Sequence, residues 1–149
     1  MPLFIFLLLA ISSAAYTQQI VLLDKELREP ISISTPAEET VGFHYFPIYQ
    51  SDIDTIMKVT EWFIQALEES RTIPVINETI NAGASRFLAN TGVFEKTPGF
   101  RLNLITRCGQ SGYCMELIKP KDGHKKRLQK LRAFLDYLRN NQFLVEAPL

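Results

Sequence analysis

The sequence predicts an α+β fold, in which two amphipathic helices pack on one face of an antiparallel sheet. Segments with period-two alternation of apolar residues stand before and between two longer segments with helical periodicity. Two of the strand candidates flank a short glycine-containing connection, which is typical of an antiparallel hairpin. Because strands and helices are segregated along the chain rather than regularly alternating, we expect this class and not a parallel α/β sheet.

The first residues predict a signal peptide. An unbroken apolar run from Leu3 to Ile11 is followed by small residues at 12–15. An apolar core of roughly 7–15 residues followed by small residues is typical of a secretory leader. We expect cleavage after Ala15, with a cut after Thr17 as the alternative. No Lys or Arg precedes the core, so the competing interpretation is a buried N-terminal element of a cytosolic protein.

Residues 16–149 are expected to form a single α+β domain that is exported, either to the periplasm or out of the cell. The chain is 46% hydrophobic and 11% aromatic, unlike a disordered protein. Its formal net charge is zero, so no general attraction to nucleic acid follows. No motif predicts a cofactor or a metal ion.

Charge is unevenly placed along the chain. Ten acids and three bases lie between Asp24 and Glu69, whereas eight bases and two acids lie between Lys119 and Arg139. One interpretation is that the two regions face each other or that both are solvated. The other is that the basic C-terminal helix docks on a protein or on an anionic surface such as lipid headgroups or glycan.

Several short strands are predicted in the N-terminal half. Residues 19–24 and 31–34 are strand candidates, and the aromatic segment 41–49 contains Pro47, which restricts it to an edge strand or an extended connector. Segment 80–88 is a weak strand candidate interrupted by Gly83, and a short helical turn is the alternative. Turn signals are present at residues 90–92 and 97–99.

Two helices are predicted. The first opens at Ser51 and ends near Arg71, with apolar residues at three- and four-residue steps along one face and Trp62 widening that face. The second covers His124 to Asn140, with a leucine seam and lysines and arginines outside it. A last short strand is predicted within 142–145.

Both cysteines belong to one predicted hairpin, formed by strands 100–108 and 113–118. Placing Cys108 opposite Cys114 predicts a disulfide, because export leads to an oxidising compartment. A metal site would need further ligands, for which only the two histidines remain. A nucleophilic cysteine would need a histidine held against it.

Two surfaces are the candidate binding sites. Aromatic side chains with polar tips are common at recognition surfaces, and basic side chains suit an anionic partner. The candidate residues are Phe43, His44, Tyr45, Phe46 and Tyr49 of the aromatic segment, and Lys125, Lys126, Lys130 and Arg132 of the second helix.

These observations favour a small exported domain with a non-catalytic binding or structural role. The alternative is a small hydrolase-like enzyme with a site centred on Ser85 or on a histidine. Residues 83–87 resemble the start of a nucleophile elbow, but Phe87 stands where its last glycine is required.

Overall fold

A computed structural model describes residues 19–28, 44–69, 77–108, 111–141 and 144–145. These residues form an α+β fold, as predicted, and its antiparallel strands are divided between two sheets. The strands are β1 (Ile20–Asp24), β2 (Tyr45–Tyr49), β3 (Glu78–Ala82), β4 (Ser85–Phe94), β5 (Thr97–Cys108), β6 (Ser111–Ile118) and β7 (Leu144–Val145). The helices are α1 (Ile53–Glu69) and α2 (His124–Asn140).

The smaller sheet has the strand order β2-β1-β7. Pro47 lies in β2, opposite Leu22 of β1. Strand β2 is an edge strand of this sheet, as predicted for a segment that contains proline. The predicted last short strand is present as β7, which pairs with the other side of β1. The predicted leader and the predicted strand at 31–34 lie outside the described residues.

The larger sheet has the strand order β3-β4-β5-β6, in which each strand follows its neighbour through a hairpin. Gly83 lies in the first connection with a φ of 69°, in agreement with the predicted interruption there. The turns predicted at 90–92 and 97–99 are wrong, because both segments lie within paired strands. The turn lies between them at Glu95 and Lys96, whose positive φ values of 47° and 68° suit a tight hairpin.

The helices form close to their predicted bounds. A 3-10 turn at Gln50–Asp52 leads into α1, and α2 covers the predicted range without change. Trp62 does not join the buried face of α1, since it is 44% exposed. The Phe63 ring packs instead on Phe87 of β4, with their ring centroids 5.9 Å apart.

The two helices pack against each other, and each contacts an edge strand of the larger sheet. Helix α1 contacts β3 and helix α2 contacts β6. Buried side chains from both sheets and both helices form one continuous core cluster. This packing brings α2, β6 and the turn that follows β1 together on one side of the molecule.

Candidate functional site

The described part of the aromatic segment, residues 44–49, does not form an open groove. Tyr45 and Phe46 are only 4% and 0% exposed, so both are core side chains, contrary to the predicted binding surface. Tyr49 is half-buried, and His44 is exposed. The reason is that β2 is an edge strand in its hydrogen bonding and yet packs against β5 and β6. Phe43 lies outside the described residues.

The predicted basic surface is largely neutralised by acids. Lys126 and Lys130 both reach Asp122, at 3.6 and 2.5 Å, and Arg132 reaches Glu68 at 2.5 Å. Lys125 is exposed and has no acidic partner among the described residues. Binding of a large anionic surface requires cations that stand clear of acids. Three of the four predicted residues do not meet that requirement.

Two ion pairs across the helix interface join the acidic and the basic regions of the chain. Arg132 and Arg139 of α2 pair with Glu68 and Glu61 of α1, each at 2.5 Å. The acidic first half and the basic second half therefore face each other, in agreement with the first interpretation of the charge pattern.

Ser85 belongs to a buried polar cluster. Its side chain lies within 3.3 Å of Asp52 Oδ2 and within 3.2 Å of Thr106 Oγ1. The same carboxylate oxygen accepts hydrogen bonds from the backbone amides of Ala84 and Ser85. Ser85 is 1% exposed, and among the described residues neither histidine hydrogen-bonds to it. The cluster holds the β3–β4 turn on the start of α1.

The hairpin that carries the cysteines has a different register from the predicted one. Cys114 lies opposite Ile105, and Cys108 lies opposite Ser111. Because successive strand positions alternate between the two faces, positions 108 and 114 belong to opposite faces. The register predicted from Cys108 opposite Cys114 is therefore wrong, and Cys114 is a free, exposed cysteine.

The free thiol of Cys114 is not activated. Burial raises its pKa, and the neighbouring Glu116 carboxylate adds to the rise, while Lys25 and Arg101 act in the other direction. Because the thiolate is the reactive form, a raised pKa lowers reactivity at neutral pH.

A cleft of about 370 Å³ lies between the turn after β1, strand β6 and helix α2. This volume is within the range of roughly 300–1,000 Å³ that is typical of ligand pockets. Apolar lining comes from Leu27, Met115, Leu117, Ala133 and Phe134. Polar lining comes from Lys25, Glu26, Glu116, Lys126, Gln129 and Lys130.

Most charges that line the cleft already have a partner. Lys126 and Lys130 pair with Asp122, which is 4% exposed. Burial acts to raise the pKa of Asp122, but the Lys130 hydrogen bond, the Lys119 amide and the two lysine charges together lower it. Both cations on this wall are therefore held by an acidic partner, and the two share one carboxylate.

The two glutamates of the cleft are paired as well, while one lysine is not. Glu26 lies 3.2 Å from Arg28, and Glu116 lies 3.2 Å from Arg101. Lys25 is half-buried and has no acidic partner among the described residues. Among the described residues that line the cleft, Lys25 is therefore the charged side chain without an ion-pair partner. A ligand with an apolar body and one anionic group would complement the cleft.

Sequence reasoning identified two of the residues that line the cleft, Lys126 and Lys130, and missed the others. The lining residues come from three segments that are distant in sequence, and no short motif links them. Lys25 is one of the few bases in the acidic first half of the chain. A lysine among many acids was the sequence signal that could have identified Lys25 as a candidate binding residue.

Comparisons with known proteins add no relative: no family model matches the chain, and neither a curated protein nor a solved structure matches it. Within the described residues, none of the helices combines the length and apolar character needed to cross a membrane. In the same part of the chain, no three His, Cys, Asp or Glu side chains are grouped so as to hold a metal ion.

Proposed function

We propose that the protein is an exported, non-catalytic binding protein whose ligand occupies the cleft between β6 and α2. The ligand combines an apolar body with one anionic group. The observation that carries this proposal is an apolar floor beside Lys25, a cation that has no acidic partner among the described residues, in a cavity of about 370 Å³. Apolar lining with a few placed polar groups is typical of ligand sites.

Export is part of the proposal and rests on the N-terminal sequence. The apolar run at residues 3–11 and the small residues after it match a secretory leader. The mature protein then starts at Tyr16, or at Gln18 if the cut follows Thr17, and acts in the periplasm or outside the cell.

A hydrolase centred on Ser85 has less support. A nucleophile needs access to substrate and a base within hydrogen-bond reach. The Ser85 hydroxyl is 1% exposed and is engaged with Asp52 and Thr106. We therefore do not propose catalysis at this position.

The test uses anilinonaphthalene sulfonate, an apolar anion whose fluorescence rises on transfer from water to an apolar site. We expect one saturable site. Lys25→Gln should weaken binding about fivefold to twentyfold, the range of one charge-assisted hydrogen bond. Ala133→Trp should abolish binding, because Ala133 is an exposed residue that lines the cleft and the larger side chain would fill it.

Lys58→Gln is the matched control, since Lys58 is an exposed lysine of α1 outside the cleft lining. Its affinity for the dye should equal that of the wild-type protein. Equal binding by the wild-type protein and the Ala133→Trp variant, with both fully folded by circular dichroism, would contradict the proposed site.

A further inference from the structure

The cleft is lined by an edge strand of the larger sheet. Met115, Glu116 and Leu117 of β6 are consecutive residues, and all three line it. The register is irregular in this segment, because Leu102 pairs with Ile118 and Asn103 pairs with Glu116, which leaves Leu117 without a partner on β5. The strict alternation of side chains is therefore interrupted at Leu117. The outer edge of β6 carries the backbone amides and carbonyls that β5 does not use.

The edge of β6 is unpaired in the described structure. Strand β6 is the last strand of its sheet and pairs with β5 on one side. In the described part of the chain, no backbone hydrogen bond joins Ser111–Ile118 to a further element. Such an edge is a template for another extended chain, whose backbone would satisfy the outward-facing donors and acceptors.

We propose that the ligand of the cleft is an extended peptide segment that adds to β6 as a fifth strand, with an acidic side chain beside Lys25. This inference rests on the proposed function and names its ligand class. Main-chain hydrogen bonds provide the affinity in this mode of recognition, and pockets for alternate side chains provide the specificity. The apolar floor formed by Met115, Leu117 and Phe134 receives an apolar side chain of the peptide.

Charge complementarity favours an acidic side chain at one position. The other charged residues of the cleft are already paired, whereas Lys25 has no acidic partner in the described chain. Strand β6 continues past the cleft in both directions, with residues 111–114 before it and Ile118 after it. The strand therefore offers backbone groups on both sides of the cleft residues, and the proposed anion is a side chain of the peptide.

A second copy of the chain is a poorer occupant. In a two-fold dimer the same patch meets itself, so β6 would pair with β6. The acid that β6 carries is Glu116, which is already paired with Arg101. Neither copy would then supply a free carboxylate to the other copy's Lys25.

The probes are acetylated, amidated peptides of alternating valine and threonine, in which one threonine at a time is replaced by glutamate. Binding is measured by fluorescence anisotropy, and amide hydrogen exchange is followed by NMR. We expect one glutamate position to bind best, with slowed exchange at those amides of Ser111–Ile118 that face away from β5. Exchange at β3, the opposite edge of the sheet, should be unchanged. Replacing that glutamate by glutamine should weaken binding about fivefold.

Two matched sets of variants test the two halves of the proposal. The Lys25→Gln protein should bind the glutamate and glutamine peptides equally, whereas the Lys58→Gln control should keep the difference. N-methylation of alternate peptide amides blocks one edge of the added strand. Peptides methylated on the amides that face β6 should therefore bind about tenfold more weakly or worse than the parent peptide. Peptides methylated on the other alternate amides should keep an affinity within about twofold of the parent peptide.

Several results would overturn the inference. The first is equal binding by both N-methylated sets. The second is peptide binding without protection of the outward-facing β6 amides, which are those not bonded to β5. The third is protection of these outward-facing amides in the free protein. In the last case, protection that rises with protein concentration would show that a second copy of the chain covers the edge. Protection that does not change with protein concentration would show that this chain's own residues cover it. Dye binding without any peptide binding would overturn this inference and leave the proposed function standing, whereas loss of both would overturn both.

Discussion

At the scale of single residues, the buried Asp52 carboxylate explains why glycine stands at position 83. A Cβ atom at this position would lie 1.9 Å from Asp52 Oδ1, and the φ of Gly83 is 69°. Any other residue would strain the backbone and displace the carboxylate from the amides of Ala84 and Ser85.

We therefore expect Gly83→Ala to lower the free energy of unfolding by about 2–4 kcal/mol, as the sum of left-handed backbone strain and weakened hydrogen bonds. Gly92→Ala is the control, because a Cβ there meets nothing within 4 Å. Urea unfolding of both variants checks this prediction. Equal stability of the two variants would show that the Asp52 cluster does not hold the turn.

Cys114 gives a second prediction at this scale. The thiol is free and exposed, and its pKa is raised by burial and by Glu116. Without reductant, iodoacetamide should modify Cys114 in the native protein, more slowly than it modifies an unstructured cysteine peptide. Mass spectrometry of the digested protein identifies the modified residue. Recovery of Cys108 and Cys114 as one disulfide-linked peptide would contradict the observed hairpin register.

At the scale of elements, the start of α2 depends on Asp122. Its carboxylate accepts hydrogen bonds from the Lys119 amide and from Lys130 Nζ, and it also pairs with Lys126. The net effect is a pKa of Asp122 below the ordinary value. A carboxyl group with a lowered folded-state pKa adds stability above its unfolded-state pKa, and this stability is lost as the pH falls through the folded-state value.

Asp122→Asn should therefore reduce the free energy of unfolding by about 1–2 kcal/mol at neutral pH. The gap between the wild-type protein and this variant should shrink as the pH falls below about 4. Asp136→Asn is the control, because Asp136 is exposed on the same helix and has no ion pair within the described residues. Thermal unfolding across this pH range checks the prediction, and a gap that stays constant would contradict it.

The elements differ in how far sequence predicts them. Helix α2 was predicted to the residue because its leucines repeat at helical spacing between clear end signals. The β4–β5 turn was missed because Glu95 and Lys96 are not typical turn residues, while glycine and proline stand inside the strands on either side. The cysteine spacing predicts the wrong β5–β6 register, because Cys108 lies opposite Ser111 and not opposite Cys114. The pairing instead leaves a connection at residues 109–110.

At the scale of the whole molecule, the charge pattern and the cleft have different origins. The meeting of acidic and basic halves could be anticipated from composition, and it is present as the Glu61–Arg139 and Glu68–Arg132 pairs. The cleft could not be anticipated, because it exists only once the segments around Lys25, Met115 and Phe134 have packed together. Local periodicity predicts elements, whereas a site between elements depends on their packing.

Export makes a prediction for the whole chain. When the protein is produced in a secreting host, the exported species should begin at Tyr16, or at Gln18 for the later cut, as read by intact-mass spectrometry. Removal of residues 3–11, the apolar run, should retain the protein in the cytosol. An intact Met1 terminus on the exported species would contradict the proposed leader.

Amide chemical-shift mapping with anilinonaphthalene sulfonate will show whether the cleft between β6 and α2 binds an apolar anion. We predict that the largest shifts fall on residues 25–27, 115–117 and 126–134, and that Ala133→Trp removes them. The other exposed large apolar side chains in the described structure, Trp62 and Val93, offer the dye alternative contacts. Shifts centred on either of those two residues, and absent from the cleft, would contradict the claim.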